Sequence, residues 1–208
     1  LKNCKYDPNE DYFVALGSLL GSKKERNFDQ AVSTLRFSSE RGSSLSSYLL
    51  GLLYESGDIE LDQSKAEFYF RKCTEQGNSN GLLRLAHCCK DDDTKTVDLY
   101  KKSAELGNSR ALVNLGICYA EGQGVEKDQF KAFELMHKAA DLGNSMALYD
   151  IGLCYEKSAG VEKDYKKSVE YYLRAAELGN GKAFHNLAVC YSKGKGVEKS
   201  MEKAVEFY

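Results

Sequence analysis

Residues 107 to 143, GNSRALVNLGICYAEGQGVEKDQFKAFELMHKAADLG, run directly into a near copy, GNSMALYDIGLCYEKSAGVEKDYKKSVEYYLRAAELG, offset by 36 residues. A unit this short cannot bury its own apolar face, so copies in tandem stack and share a continuous core. A stack presents a long surface rather than one cleft. The first functional expectation is therefore recognition of a partner, not catalysis.

The period is punctuated by Gly-Asn before a small residue: Gly77-Asn78-Ser79, Gly107-Asn108-Ser109, Gly143-Asn144-Ser145 and Gly179-Asn180-Gly181, with Gly42-Ser43-Ser44 in the same role upstream. Glycine closes a helix in the left-handed conformation, and Asn or Ser accepts from the free amides that open the next one. From Gly42 the intervals are 35, 30, 36 and 36 residues, so the second unit is shortened. The loss falls in its internal loop. The regular units carry Gly122 to Asp128, Ser158 to Asp164 and Gly194 to Ser200 there, each closing on an N-cap residue.

Between these marks Ala111, Leu115 and Tyr119 recur as Ala147, Ile151 and Tyr155 and as Ala183, Leu187 and Tyr191, a spacing that predicts one face of a first helix. Ala132, Leu135, Met136 and Ala139, matched by Ser168, Tyr171, Tyr172 and Ala175, predict the inner stripe of a second helix. Gly116 and Gly152, with Ala86 and Ala188 at the same position, let paired helices approach closely. Leu16-Gly17 and Ala31 extend the frame to the N-terminus, where Ser22 to Arg26 replaces the loop motif. The expected organisation is one all-α repeat domain over 1–208: a divergent helix pair over 1–41, four complete repeats over 42–181, and a final repeat over 182–208 cut off in its second helix.

The combination A-x-x-x-L-G-x-x-Y (111–119), Gly-x-Gly-Val-x-Lys-Asp (122–128) and Lys/Arg-Ala-Ala-Glu-Leu-Gly-Asn (174–180) resembles the Sel1-like repeats, relatives of the tetratricopeptide repeat with a longer internal loop. The resemblance covers 42–208 and, more loosely, 10–42. It implies a right-handed α/α superhelical solenoid of antiparallel helix pairs, first helices lining the concave side, and adaptor or scaffold proteins that tether partners into complexes.

Charge adds an exclusion. Lys and Arg total 29 against 31 Asp and Glu, a net charge of −2, so nothing in the overall field attracts nucleic acid or anionic lipid. No apolar run reaches the roughly 20 residues of a membrane-spanning helix, and the first residues have no signal-peptide core. A chain that opens on Leu1 and ends at Tyr208 within a helical pattern is expected to be part of a longer protein.

Cys88, Cys118, Cys154 and Cys190 share one repeat position. Equivalent sites in a stack lie roughly 8 to 10 Å apart, beyond the roughly 7 Å reach of a disulfide, so they are expected as small apolar fillers of the seam. A disulfide-bearing bacterial subgroup that resembles this family places two Cys eight residues apart, but Gly81 stands eight residues after Cys73. Seven cysteines and no Asn-x-Ser/Thr sequon point to a reducing, cytoplasmic compartment. His87, His137 and His185 have no ligand partner at metal spacing, Asp91 to Asp93 lacks the oxygen alternation of a calcium loop and is expected to cap a helix near Thr94, and the Gly-x-Gly-Val loops lack the strand and Lys-Ser/Thr of a phosphate cradle. No cofactor, metal or catalytic residue is expected, and the chain is read as non-enzymatic.

Specificity then belongs to first-helix positions that vary among units. These are Tyr48-Leu49, Leu83-Arg84, Val113-Asn114, Tyr149-Asp150 and His185-Asn186, with Glu121, Lys157 and Lys193 one turn on. In tetratricopeptide relatives an Asn before Leu-Gly bonds the backbone of a bound peptide, and the resemblance assigns that role to Asn114 and Asn186. The expected partner is a peptide or helix of another protein along the concave face. The competing reading seats Tyr48 and Tyr149 within their own unit. Two other functions stay open: a regulatory arm of a larger enzyme or signalling protein, and a secreted disulfide-type repeat hydrolase or penicillin-binding relative. Self-association is undetermined.

Overall fold

The computed structural model describes residues 8–20, 28–89 and 92–208. Every regular element among them is an α-helix, giving an all-α solenoid of helix pairs, and the chain divides into two compact units, Leu1–Lys90 and Asp91–Tyr208. The break between units falls at the shortened loop of the second repeat.

Unit one holds α1 (Pro8–Leu20), α2 (Phe28–Glu40), α3 (Ser44–Ser56), α4 (Gln63–Glu75) and α5 (Ser79–Cys88), each packed on the next. Its core gathers Ala15, Ala31, Val32, Leu35, Leu50 and Leu53. Leu35 and Leu50 are fully buried, each contributing roughly 1.5–3 kcal/mol. Gly17 sits in register with the later close-approach glycines, yet a Cβ there meets nothing within 4 Å among the described residues, so these do not close on it as on the later ones. Ser22 to Arg26 lie outside the described residues.

Unit two holds α6 (Asp93–Glu105), α7 (Ser109–Glu121), α8 (Gln129–Asp141), α9 (Ser145–Lys157), α10 (Tyr165–Glu177), α11 (Gly181–Lys193) and the short α12 (Met201–Glu206). α6 begins one residue before Thr94, capped by Asp92, which accepts from the Lys95 amide at 3.0 Å; Asp91 lies outside the described residues.

The punctuation works as local chemistry predicts. Gly77, Gly107, Gly143 and Gly179 hold φ between +78° and +83°, and Asn78, Asn108, Asn144 and Asn180 accept from amides in the first turn that follows. Asp62, Asp92, Asp128, Asp164 and Ser200 cap the second helices. Where one pair meets the next, only small residues fit: Ser38 against Ser46 with hydroxyls 2.9 Å apart in unit one, Cys73 against Gly81, and buried Ala139 and Ala147 in unit two. Cys73 is thus a seam residue and burial pushes its thiol up to about 12. In the shared cysteine position Cys118 and Cys190 are buried, whereas Cys88 and Cys154 are only half-buried.

Two regularities were not anticipated from the sequence. Gly124, Gly160 and Gly196 take φ of +65°, +69° and +72°, and a Cβ on each would collide with the carbonyl of Asp93, Gln129 and Tyr165 respectively. Each internal loop therefore lies directly on the first residue of the preceding second helix. A lysine also caps a tyrosine ring in four repeats, at 5.3 Å for Lys65 and Tyr54, 4.5 Å for Lys131 and Tyr119, 5.3 Å for Lys167 and Tyr155, and 5.4 Å for Lys203 and Tyr191.

Candidate partner-binding face

Several of the variable first-helix positions carry polar side chains that reach between neighbouring pairs. In unit one the Tyr48 ring packs on Phe70 of α4, 6.0 Å between centroids, while its hydroxyl accepts from Arg84 of α5 at 3.4 Å. Arg84 also meets Glu55 of α3 at 3.2 Å. Leu49 is half-buried against the core.

Unit two repeats the arrangement. The Tyr149 ring lies 5.8 Å from Tyr172 of α10, and its hydroxyl engages the side chain of Asn186 on α11. Asn114 of α7 bonds Tyr100 of α6 in the same sense. Tyr48 and Tyr149 thus pack within their own pair, as the competing reading has it, and each also presents a polar tip to the following pair.

Asp150 differs from these neighbours. It is half-buried beside Tyr149, and among the described residues no donor bonds its carboxylate. Burial raises this carboxyl to about 6, opposed by the charge of Lys182. It is an acceptor held partly out of water without a donor, which a lysine, arginine or backbone amide from outside can satisfy.

Glu121, Lys157 and Lys193 are exposed at the first-helix ends, and His185 is exposed with its ring 5.8 Å from Tyr208. Leu83 and Val113 do not line an accessible groove as expected: both are 6% exposed. A branched aliphatic side chain ends inside the packing at this position, whereas tyrosine is long enough to carry a polar tip outward.

Some members of the network carried no sequence signal. The Tyr172 hydroxyl, in a fully buried residue, donates to Glu156 at 2.9 Å, and Lys195 of the following loop bonds the other carboxylate oxygen at 3.1 Å. Burial alone would raise Glu156, but the bonds from Lys195 and Tyr172 bring it below the ordinary value. Glu156 follows Tyr155 in the frame as Ala120 follows Tyr119, so no period marks it. Among the described residues no group of His, Cys, Asp and Glu is placed to hold a metal ion, and no helix is long and apolar enough to cross a membrane.

The Sel1 repeat profile matches residues 44–78, 82–108, 109–144, 145–180 and 182–208. No curated protein matches the chain significantly. Among solved structures, a Sel1 repeat protein from Oxalobacter formigenes is 25% identical with a TM-score of 0.87, over 97% of this chain and 83% of that one. A protective antigen of uropathogenic Escherichia coli with the same repeat fold is 27% identical with a TM-score of 0.77, over 97% of this chain but 45% of its own, so the chain spans under half its length. An immunity protein from Pseudomonas aeruginosa, 24% identical with a TM-score of 0.68 over 100% of this chain and 76% of that one, shares the fold.

Proposed function

The chain belongs to the Sel1 repeat family, whose repeats generally mediate protein–protein interaction, and from that premise we propose that it is a non-enzymatic adaptor gripping a peptide or helix of a partner protein along its first helices. The observation that carries this reading is Asp150, an acceptor without a donor, set between polar groups that already pair with one another. Holding a carboxylate partly out of water with no protein donor costs stability, and a donor supplied by a partner recovers that cost. Glu121 followed by Lys157 and Lys193 along the same helices suits a segment carrying both charges, bound lengthwise.

Asn114, Tyr149, Asp150 and Asn186 are the contacts we assign in unit two, and Tyr48 and Arg84 in unit one. Site-specific photocrosslinking in cells tests the assignment. A photoreactive phenylalanine at Asn114 or Lys157 is expected to capture a discrete protein, and one at the exposed second-helix ends Leu106 or Leu178 is not. Capture from Leu106 and Leu178 alone would overturn it.

A further inference from the structure

Phe130 breaks the repeat. At its position in the other second helices stand Ser64, Thr94, Lys166 and Glu202, all polar and exposed, yet the Phe130 ring is 66% exposed. One turn on, Phe133 occupies the position of Val97 and Val169, which are buried, and is itself only half-buried, its ring 4.6 Å from that of His137 and 5.6 Å from that of Tyr155. Nothing in the helix-pair frame calls for this aromatic run on the outer side of α8.

The rings wall a cavity of about 610 Å³ between α8 and the following loop at Gly160 and Val161. The loop side is fixed, because Gly160 lies directly on the Gln129 carbonyl. Three carboxylates, Glu134, Asp141 and Glu162, border the cavity against one cation, Lys138, and none of the three is ion-paired among the described residues. Burial lowers the His137 imidazole, Asp141 opposing and the nearby charge of Arg174 adding to that shift.

We propose that this cavity on the second-helix side of unit two is a docking site for a basic protein segment that inserts an apolar side chain between Phe130 and Phe133 and sets Lys or Arg against Glu134, Asp141 and Glu162. Charge complementarity selects a basic segment over an acidic one, and the exposed ring faces favour cations again. The site lies on other helices' faces than the first-helix contacts and does not depend on them.

The test uses a short fluorescein-labelled peptide with two leucines flanked by Lys and Arg, and a matched peptide carrying Glu in place of the basic residues. Polarisation titrations of the full chain are expected to show saturable binding of the basic peptide and none of the acidic one. Phe130→Ser, which installs the side chain found at Ser64 and keeps the fold, is expected to weaken binding about tenfold, as is the pair Glu134→Lys with Glu162→Lys. Asn114→Ala is expected to leave it unchanged, separating this site from the first-helix contacts. Equal affinity for both peptides, or undiminished affinity in Phe130→Ser, overturns the proposal. So does sedimentation showing that Phe130→Ser dissolves a dimer, which would make a second copy the occupant.

Discussion

Asn180 donates from Nδ2 to the backbone carbonyl of Ser145, 3.1 Å away and one repeat earlier. Its Oδ1 meanwhile accepts from the amides of Lys182 and Ala183, so one side chain both starts α11 and ties it to the start of α9. Asn144 is built alike, capping α9 and bonding the Ser109 hydroxyl at 3.2 Å.

Asn180→Ala removes a cap and a bond between pairs from a residue only 8% exposed, and a loss of about 2 kcal/mol is expected. Asn180→Ser keeps the cap but cannot span to Ser145, and should lose about half as much. Denaturant unfolding of the two variants separates the contributions.

Gly160→Ala and Gly143→Ala compare two left-handed glycines that differ only in their surroundings. At Gly143 a Cβ meets nothing within 4 Å, so the cost is backbone conformation, about 1 kcal/mol. At Gly160 the new Cβ also collides with the Gln129 carbonyl, and the loss should be about 2–4 kcal/mol. Melting temperatures of equal size would contradict the loop docking described above.

Asp150 makes a pH signature. Burial raises its carboxyl to about 6, above the value near 3.9 of an unfolded chain. The folded state therefore holds this proton more tightly, and the stability contribution falls as pH rises from about 4 to about 6, then stays level. Asp150→Asn is expected to raise stability by on the order of 1 kcal/mol at pH 7.5 and to be neutral near pH 4, measured by thermal melts at both values. The same variant should bind the partner less well, a site strained for function.

Glu156→Ala takes the carboxylate acceptor from the hydroxyl of the fully buried Tyr172, which also engages Asn186, and releases Lys195. The expected loss is about 1–3 kcal/mol, while Lys195→Ala, at a half-exposed side chain, should cost well under 1 kcal/mol. Chemical denaturation of both variants checks the ordering.

Helix starts and stops were legible because their chemistry is local: Asn144 bonds amides two and three residues away, and Gly143 needs only its own backbone to turn. The carbonyl that demands Gly160 belongs to Gln129, on another repeat, and no short pattern connects them. The variable positions could be found by subtracting the frame, but not sorted. Tyr149 and Val113 occupy the same place in their helices, and whether the tip emerges depends on side-chain length against the packing of neighbouring helices. Phe130 departs in the sequence from the polar residues at its position, but a lone aromatic beside a buried stripe reads as core until its solvent exposure is known.

The most direct measurement is a calorimetric titration of the protein captured through Asn114 or Lys157 into the full chain and into its Asn114→Ala, Tyr149→Ala and Asp150→Asn variants, each confirmed folded by circular dichroism. Binding by the first helices predicts at least about tenfold weaker affinity in Tyr149→Ala and Asp150→Asn and a smaller loss in Asn114→Ala. Unchanged affinity in all three would contradict it.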